Sequence, residues 1–153
     1  MGYVHYYSFV YGFYQDLQCE SNEQTTLFCF LLIMARVNFN TRDELVSIDL
    51  DLFAAAQASG SYTRILYITK REFLITANIS KVEEALKGFN GPEYKFLRLG
   101  RSVIINHKYL MRIELNKQQL ILSDGDQHDL RVRIPKQTLR VYKDAVAQSG
   151  HKI

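Results

Sequence analysis

From residue 44 onward the apolar and polar positions fall into short, regular runs. In Glu44–Leu52, Val46, Ile48, Leu50 and Leu52 alternate with Ser47, Asp49 and Asp51. Successive side chains of an extended chain point to opposite faces, so this alternation predicts a half-buried strand. Phe53–Ser61 is rich in small residues, with Gly60 flanked by serines, and reads as a loop or as a strand that loses register. Tyr62–Thr69 and Glu72–Thr76 are β-branched and aromatic, and the polar pair Lys70-Arg71 between them predicts a hairpin. The period then changes. Val82, Ala85, Leu86 and Phe89 recur at helical spacing and predict a short amphipathic helix over about 80–89. Ser80-Lys81-Val82-Glu83 has the spacing of a capping box, and Asn90-Gly91-Pro92 stops the helix.

Strand patterns resume at Ser102–Asn106, Tyr109–Leu115 and Gln118–Ser123, with a turn at Asn116-Lys117 and a stronger one at Asp124-Gly125-Asp126. Asp129–Ile134 alternates Leu130, Val132 and Ile134 with Arg131 and Arg133, which places both arginines on the face opposite the apolar one. Pro135 ends that strand, and Leu139, Tyr142 and Val146 predict a short C-terminal helix. The fold class is mainly β and antiparallel, with one short capped helix; there is no alternation of strand and helix of the parallel kind.

These patterns divide the chain into an irregular extension (1–43), a domain (44–147) and a tail (148–153). The extension crowds Tyr3, Tyr6, Tyr7, Tyr11 and Tyr14 with Phe9 and Phe13 without a clean period. It is an extension of loose packing, a strand-rich arm that dimerises, or upstream sequence joined to a domain starting near Met34; no function is assigned to it. Its apolar run, Leu27–Ala35, falls well short of the ~20 residues a membrane-spanning helix needs. Cys19 and Cys29 lack metal-ligand spacing and fit a reducing compartment, so a cytoplasmic protein is expected.

Charge sharpens the picture. Residues 1–93 carry 7 Lys/Arg against 11 Asp/Glu, whereas residues 94–143 carry 11 Lys/Arg against 4 Asp/Glu. So strong a basic bias within one stretch marks a polyanion-binding surface or a solvated charged face. No Gly-rich phosphate loop, nucleophile elbow or His-Glu-x-x-His motif is present, so catalysis is not expected and no cofactor is implied.

The segments LDLFAAAQASGSYTRIL, ANISKVEEAL, YKFLRLGRSVIINHKYLMRIEL and LILSDGDQHDLRVRIPKQTL, in that order, resemble the LytTR (LytR/AlgR-type) DNA-binding domain over about two thirds of the chain. The third, with Phe96-x-Arg98-x-x-Arg101-Ser102, is the most distinctive. Gly100 stands where that family usually has His, an acidic residue common in its first loop is replaced within Ala54–Ala56, and its usual Ser-Arg before the last helix is not evident near Ile134-Pro135. The resemblance implies an elongated antiparallel β domain of a bacterial transcription regulator, whose loops rather than a helix enter the major groove of double-stranded DNA. Carried over, base contacts fall on Tyr62, Asn106, Arg133 and Lys136, and phosphate contacts on Ser61, Arg101, Ser102, Lys108 and Arg131.

Each assignment has an ordinary rival. Asn106-His107 also suits a turn, and Tyr62 a packed strand aromatic. Arg101-Ser102 suits a hydrogen-bond network, and Arg131 and Arg133 a solvent-facing sheet edge that resists aggregation. Two copies on paired sites and a regulatory protein partner are expected, with no membrane association. The phosphoacceptor receiver that many such proteins carry needs more residues than 1–43 supply. The competing function is a non-catalytic protein-interaction or sensory β domain with a basic docking face.

Overall fold

The computed structural model describes residues 35–150, and among them the chain folds into three antiparallel sheets and two helices. A two-stranded ribbon pairs β1 (Arg36–Asn40) with β2 (Leu45–Asp49). The central five-stranded sheet joins β3 (Phe53–Ser59), β4 (Tyr62–Tyr67), β5 (Glu72–Ile75), β6 (Phe96–Leu99) and β7 (Val103–Asn106) in the order β5-β4-β3-β7-β6. Helix α1 (Ile79–Lys87) lies between β5 and β6 in the chain. A three-stranded sheet of β8 (Leu110–Glu114), β9 (Gln119–Ser123) and β10 (Asp129–Arg133) follows a 3₁₀ turn at His107–Tyr109, and α2 (Lys136–Ser149) closes the domain.

The small-residue run is the middle strand rather than a loop. Ala54, Ala55 and Ala56 have no exposed surface, because β3 is paired on both edges and packed on both faces. A strand covered on both faces loses the alternation that marks a half-buried one, and alanine lets the two layers approach closely. The pairing slips between Phe53 and Ala55, which is the irregularity the composition implied. One face, carrying Ile65, Ala56 and Ile104, packs on α1 through Ile79, Val82 and Leu86 and on the ribbon through Val37 and Ile48. The other, carrying Leu66, Ala55 and Ile105, packs on Leu120, Leu122 and Val132 of the three-stranded sheet and on Leu139 and Tyr142 of α2.

Four local expectations are corrected. The cap of α1 is Asn78, whose side chain accepts from the Lys81 N–H at 2.9 Å, so Ser80 is already inside the helix. Glu83 does not reach back to the backbone; its carboxylate takes the Arg98 guanidinium at 2.6 Å, a charge-assisted bond stronger than a neutral one. The first strand stops at Asp49, where the chain turns through Leu50 and Asp51. Regular structure also begins earlier than residue 44, since β1 lies within the stretch read as irregular. At 14 residues, α2 is longer than the short helix expected. The tyrosine-rich start, both cysteines and most of the apolar run lie outside the described residues.

Candidate nucleic-acid interface

Two turns meet at one end of the central sheet. Ser59 pairs with Tyr62, leaving Gly60-Ser61 as a two-residue hairpin turn. Gly60 has φ +63, which a type II′ hairpin requires at its first central residue and glycine adopts without strain. The turn lifts Ser61 and Tyr62 into solvent, and Tyr62 is 49% exposed. Beside it, Gly100, Arg101 and Ser102 join β6 to β7, and the Ala58 N–H donates to the Ser102 carbonyl at 2.8 Å. Arg101 and Ser102 are exposed.

This second turn is braced from below and beside. The Arg98 guanidinium donates to Glu83 at 2.6 Å, to the Ser80 hydroxyl at 3.2 Å and to the Arg101 carbonyl at 2.8 Å, tying the turn to α1. Gly100 has φ +67, and a Cβ there would meet the Thr138 Oγ1 of α2 at 3.4 Å. A larger residue, such as the histidine of the resembling family, would meet Thr138 at ordinary van der Waals distance but would have to adopt a strained backbone. Arg98 carried no role in the sequence reading. Its parity with the buried Phe96, which points it at α1, was the signal available.

The nearness of Thr138 to Gly100 brings the start of α2, with Lys136 at its first position, to the same region. The Ile134 N–H donates to the Gln118 carbonyl at 3.0 Å, which fixes the short link between β10 and α2. The first turn of α2 has no acidic residue and no side-chain cap, so its free N–H groups add positive potential to that of Lys136. Arg131 and Arg133 share the outer face of β10, as alternation predicts. In the cross-strand rows, Arg131 stands with Ile121 and Arg112, and Arg133 with Gln119 and Glu114. Ile121 is only 7% exposed on this outer face, consistent with cover from the aliphatic stems of its two arginine neighbours.

Two candidates are not part of this cluster. Asn106 has no exposed surface. Its amide donates to the Phe53 carbonyl at 3.0 Å and accepts from the Lys108 N–H at 3.2 Å, so it holds a turn and cannot meet a base edge as expected. Lys108 lies beyond the opposite end of β7 from Arg101, roughly 13 Å of strand away. Its ammonium is 3.9 Å from Asp51 and 5.9 and 5.5 Å from the ring centres of Tyr94 and Tyr109. The Tyr94 hydroxyl also donates to Asp51, at 2.6 Å, and burial together with that bond raises its pKa well above the ordinary phenol range. Lys108 belongs to a latch that pins the β2–β3 turn, not to the ridge of free cations.

Ion pairing separates the basic residues into two sets. Arg98, Lys108, Arg112 and Lys117 are matched by Glu83, Asp51 or Glu114. Glu114 takes Arg112, Lys117 and Gln119, and the Gln119 amide and those cations hold its carboxyl below the usual range. Arg101, Arg131, Arg133 and Lys136 have no ion-pair partner among the described residues, and neither do Lys95, Arg140 and Lys143. Arg131, Arg133 and Lys136 follow one another in the chain from β10 into the start of α2, and Thr138 of α2 lies close to the β6–β7 turn that carries Arg101.

The family model of the LytTr DNA-binding domain matches residues 43–141. Among solved structures, a LytTr DNA-binding domain from Bacillus cereus is similar over 73% of this chain and 96% of its own, at 12% identity and a TM-score of 0.48. No curated protein matches. The family match spans well over half the sequence and takes in every strand from β2 to β10, both turns and the first part of α2. The chain belongs to the LytTr DNA-binding domain family.

Proposed function

We propose that this chain binds double-stranded DNA sequence-specifically as a bacterial transcription regulator in the cytoplasm, with its turns entering the major groove. The observation that carries the reading is the set of unmatched cations, Arg101, Arg131, Arg133 and Lys136, beside the exposed hairpin tip of Ser61 and Tyr62. Cations left without an internal ion pair next to exposed turns support a partner that supplies negative charge. A turn held by Arg98 reaches into a groove with little loss of freedom.

With Asn106 interior, the reader in the middle segment is Arg101, whose guanidinium suits the O6 and N7 acceptors of guanine. Tyr62, Arg133 and Lys136 are the other groove-facing candidates, while Ser61, Ser102 and Arg131 contact phosphates and set orientation. Each good base contact discriminates by ~1–3 kcal/mol, so one copy with few such contacts reads a short site. Two copies on paired repeats then supply the specificity a regulator needs.

The test is selection of bound duplexes from a random pool, repeated at two salt concentrations. A recurring motif, bound with steep salt dependence, is the expected result. Salt-sensitive binding without any recurring motif, or binding to acidic protein alone, would overturn the proposal.

A further inference from the structure

The β3–β4 hairpin carries more than its tip. Tyr62 and Arg64 are two residues apart on β4, so both side chains leave the same face of the sheet. Arg64 stands directly opposite Gln57 of β3 and Leu74 of β5. Further across the same row, Val103 is 4% exposed beneath the second core, whereas Leu74 is 54% exposed. The cover provided by α2 and the three-stranded sheet therefore ends between β7 and β4, and Arg64 lies in the open with Gln57 half-buried beside it. Arg64 has no ion-pair partner among the described residues. The acidic group on this face of β5, Glu72, stands opposite Leu66, a further two residues from the tip.

We propose that Arg64, flanked by Gln57, is an additional DNA contact that grips a backbone phosphate at the rim of the groove entered by Tyr62. The inference rests on the DNA reading proposed above and extends it from turn tips to a strand face. Two residues of strand span ~6.8 Å. The major groove of B-form DNA is ~8.5 Å deep. A tyrosine near the base edges therefore sets Arg64 at the height of the groove wall, where phosphates stand. A guanidinium held on a paired strand offers two parallel donors to one phosphate, which a flexible lysine does not.

The experiment uses the full chain with Arg64→Ala and Arg64→Lys, titrated with the selected duplex and a scrambled duplex over a range of salt. Arg64→Ala weakens binding to both duplexes by the same factor and lowers the slope of log affinity against log salt by ~1. Arg64→Lys restores most of the slope but not all of the affinity. Thermal melts of all three proteins coincide, because Arg64 is exposed and unpaired. An unchanged slope and affinity for Arg64→Ala, on DNA that the parent chain binds, overturns the assignment. So does a lower melting temperature with an unchanged slope, or a loss confined to one base pair of the motif. Failure of the parent chain to select any motif bears on the reading of bases, not on this phosphate contact.

Discussion

At the residue scale, burial decides between roles that composition leaves open. Asn106 has the right chemistry for an adenine edge, but the interior has already used its donor and its acceptor. Asn106→Ala removes both bonds and leaves the Phe53 carbonyl short of a partner, at a cost of about 1–3 kcal/mol in stability. Denaturant melts should show that loss, while the protein that remains folded keeps its preference for the selected DNA; an altered preference at full stability would contradict the interior role. Lys108→Ala should leave the salt slope of DNA binding unchanged, because its charge is engaged by Asp51 at the far end of β7. Arg133→Ala should behave oppositely, with unchanged stability and a lost preference at one position of the motif. These side chains look alike in the sequence. What separates them is which end of a strand each occupies, and an alternation pattern carries no information about that.

At the element scale, α2 is held by its apolar stripe and by one polar contact that responds to pH. The His107 Nδ1 and the Tyr142 hydroxyl share a 2.7 Å hydrogen bond, with the two rings edge to face. Burial, and then the charge of Lys95, lowers the His107 pKa below the ordinary imidazole value. As pH falls, the unfolded chain therefore takes up the proton first. Stability is full above the unfolded value of about 6.5 and declines as pH drops through the lower folded one. His107→Gln should flatten the fall in melting temperature between pH 7 and pH 5, and parallel curves for the two proteins would refute the link. Asp124 acts in a lower window. The Asp126 N–H and the His128 ring hold it at about 2, so its contribution is present above the usual carboxylate range and lost as pH falls through about 2. The turn at Asp124-Gly125-Asp126, the Lys70-Arg71 hairpin and the amphipathic helix were all legible, because local chemistry dictates them. The cap at Asn78 was not, since Ser80 and Glu83 formed an equally good local pattern. Only the tertiary pull of Arg98 on Glu83 decides between the two. The three-alanine strand was ambiguous for a similar reason, because burial on both faces is a property of the sheet and not of the segment.

At the scale of the whole molecule, four basic residues of 94–143, Arg98, Lys108, Arg112 and Lys117, are ion-paired within the fold, and the others are left for solvent or a ligand. Only the second kind should enter the thermodynamics of binding. Each phosphate neutralised adds ~0.9 to the slope of log affinity against log salt. The slope for one copy therefore counts the free cations that meet backbone, and it should fall well below the value implied by all 11 Lys/Arg of that stretch. If two copies occupy paired repeats, a duplex carrying both half-sites should show twice the slope of a duplex carrying one, with two chains bound per DNA. Paired sites should also bind tighter than a single isolated site when the copies touch, and the gain should vanish when half a helical turn is inserted between them. Copies that bind without touching keep the doubled slope and stoichiometry but show no dependence on spacing. A single half-site bound as tightly as the pair, at a stoichiometry of one and with the same slope, would show that one copy reads the whole operator. The surface from Arg131 to Tyr62 would then have to deliver all of the specificity alone, from contacts worth ~1–3 kcal/mol each.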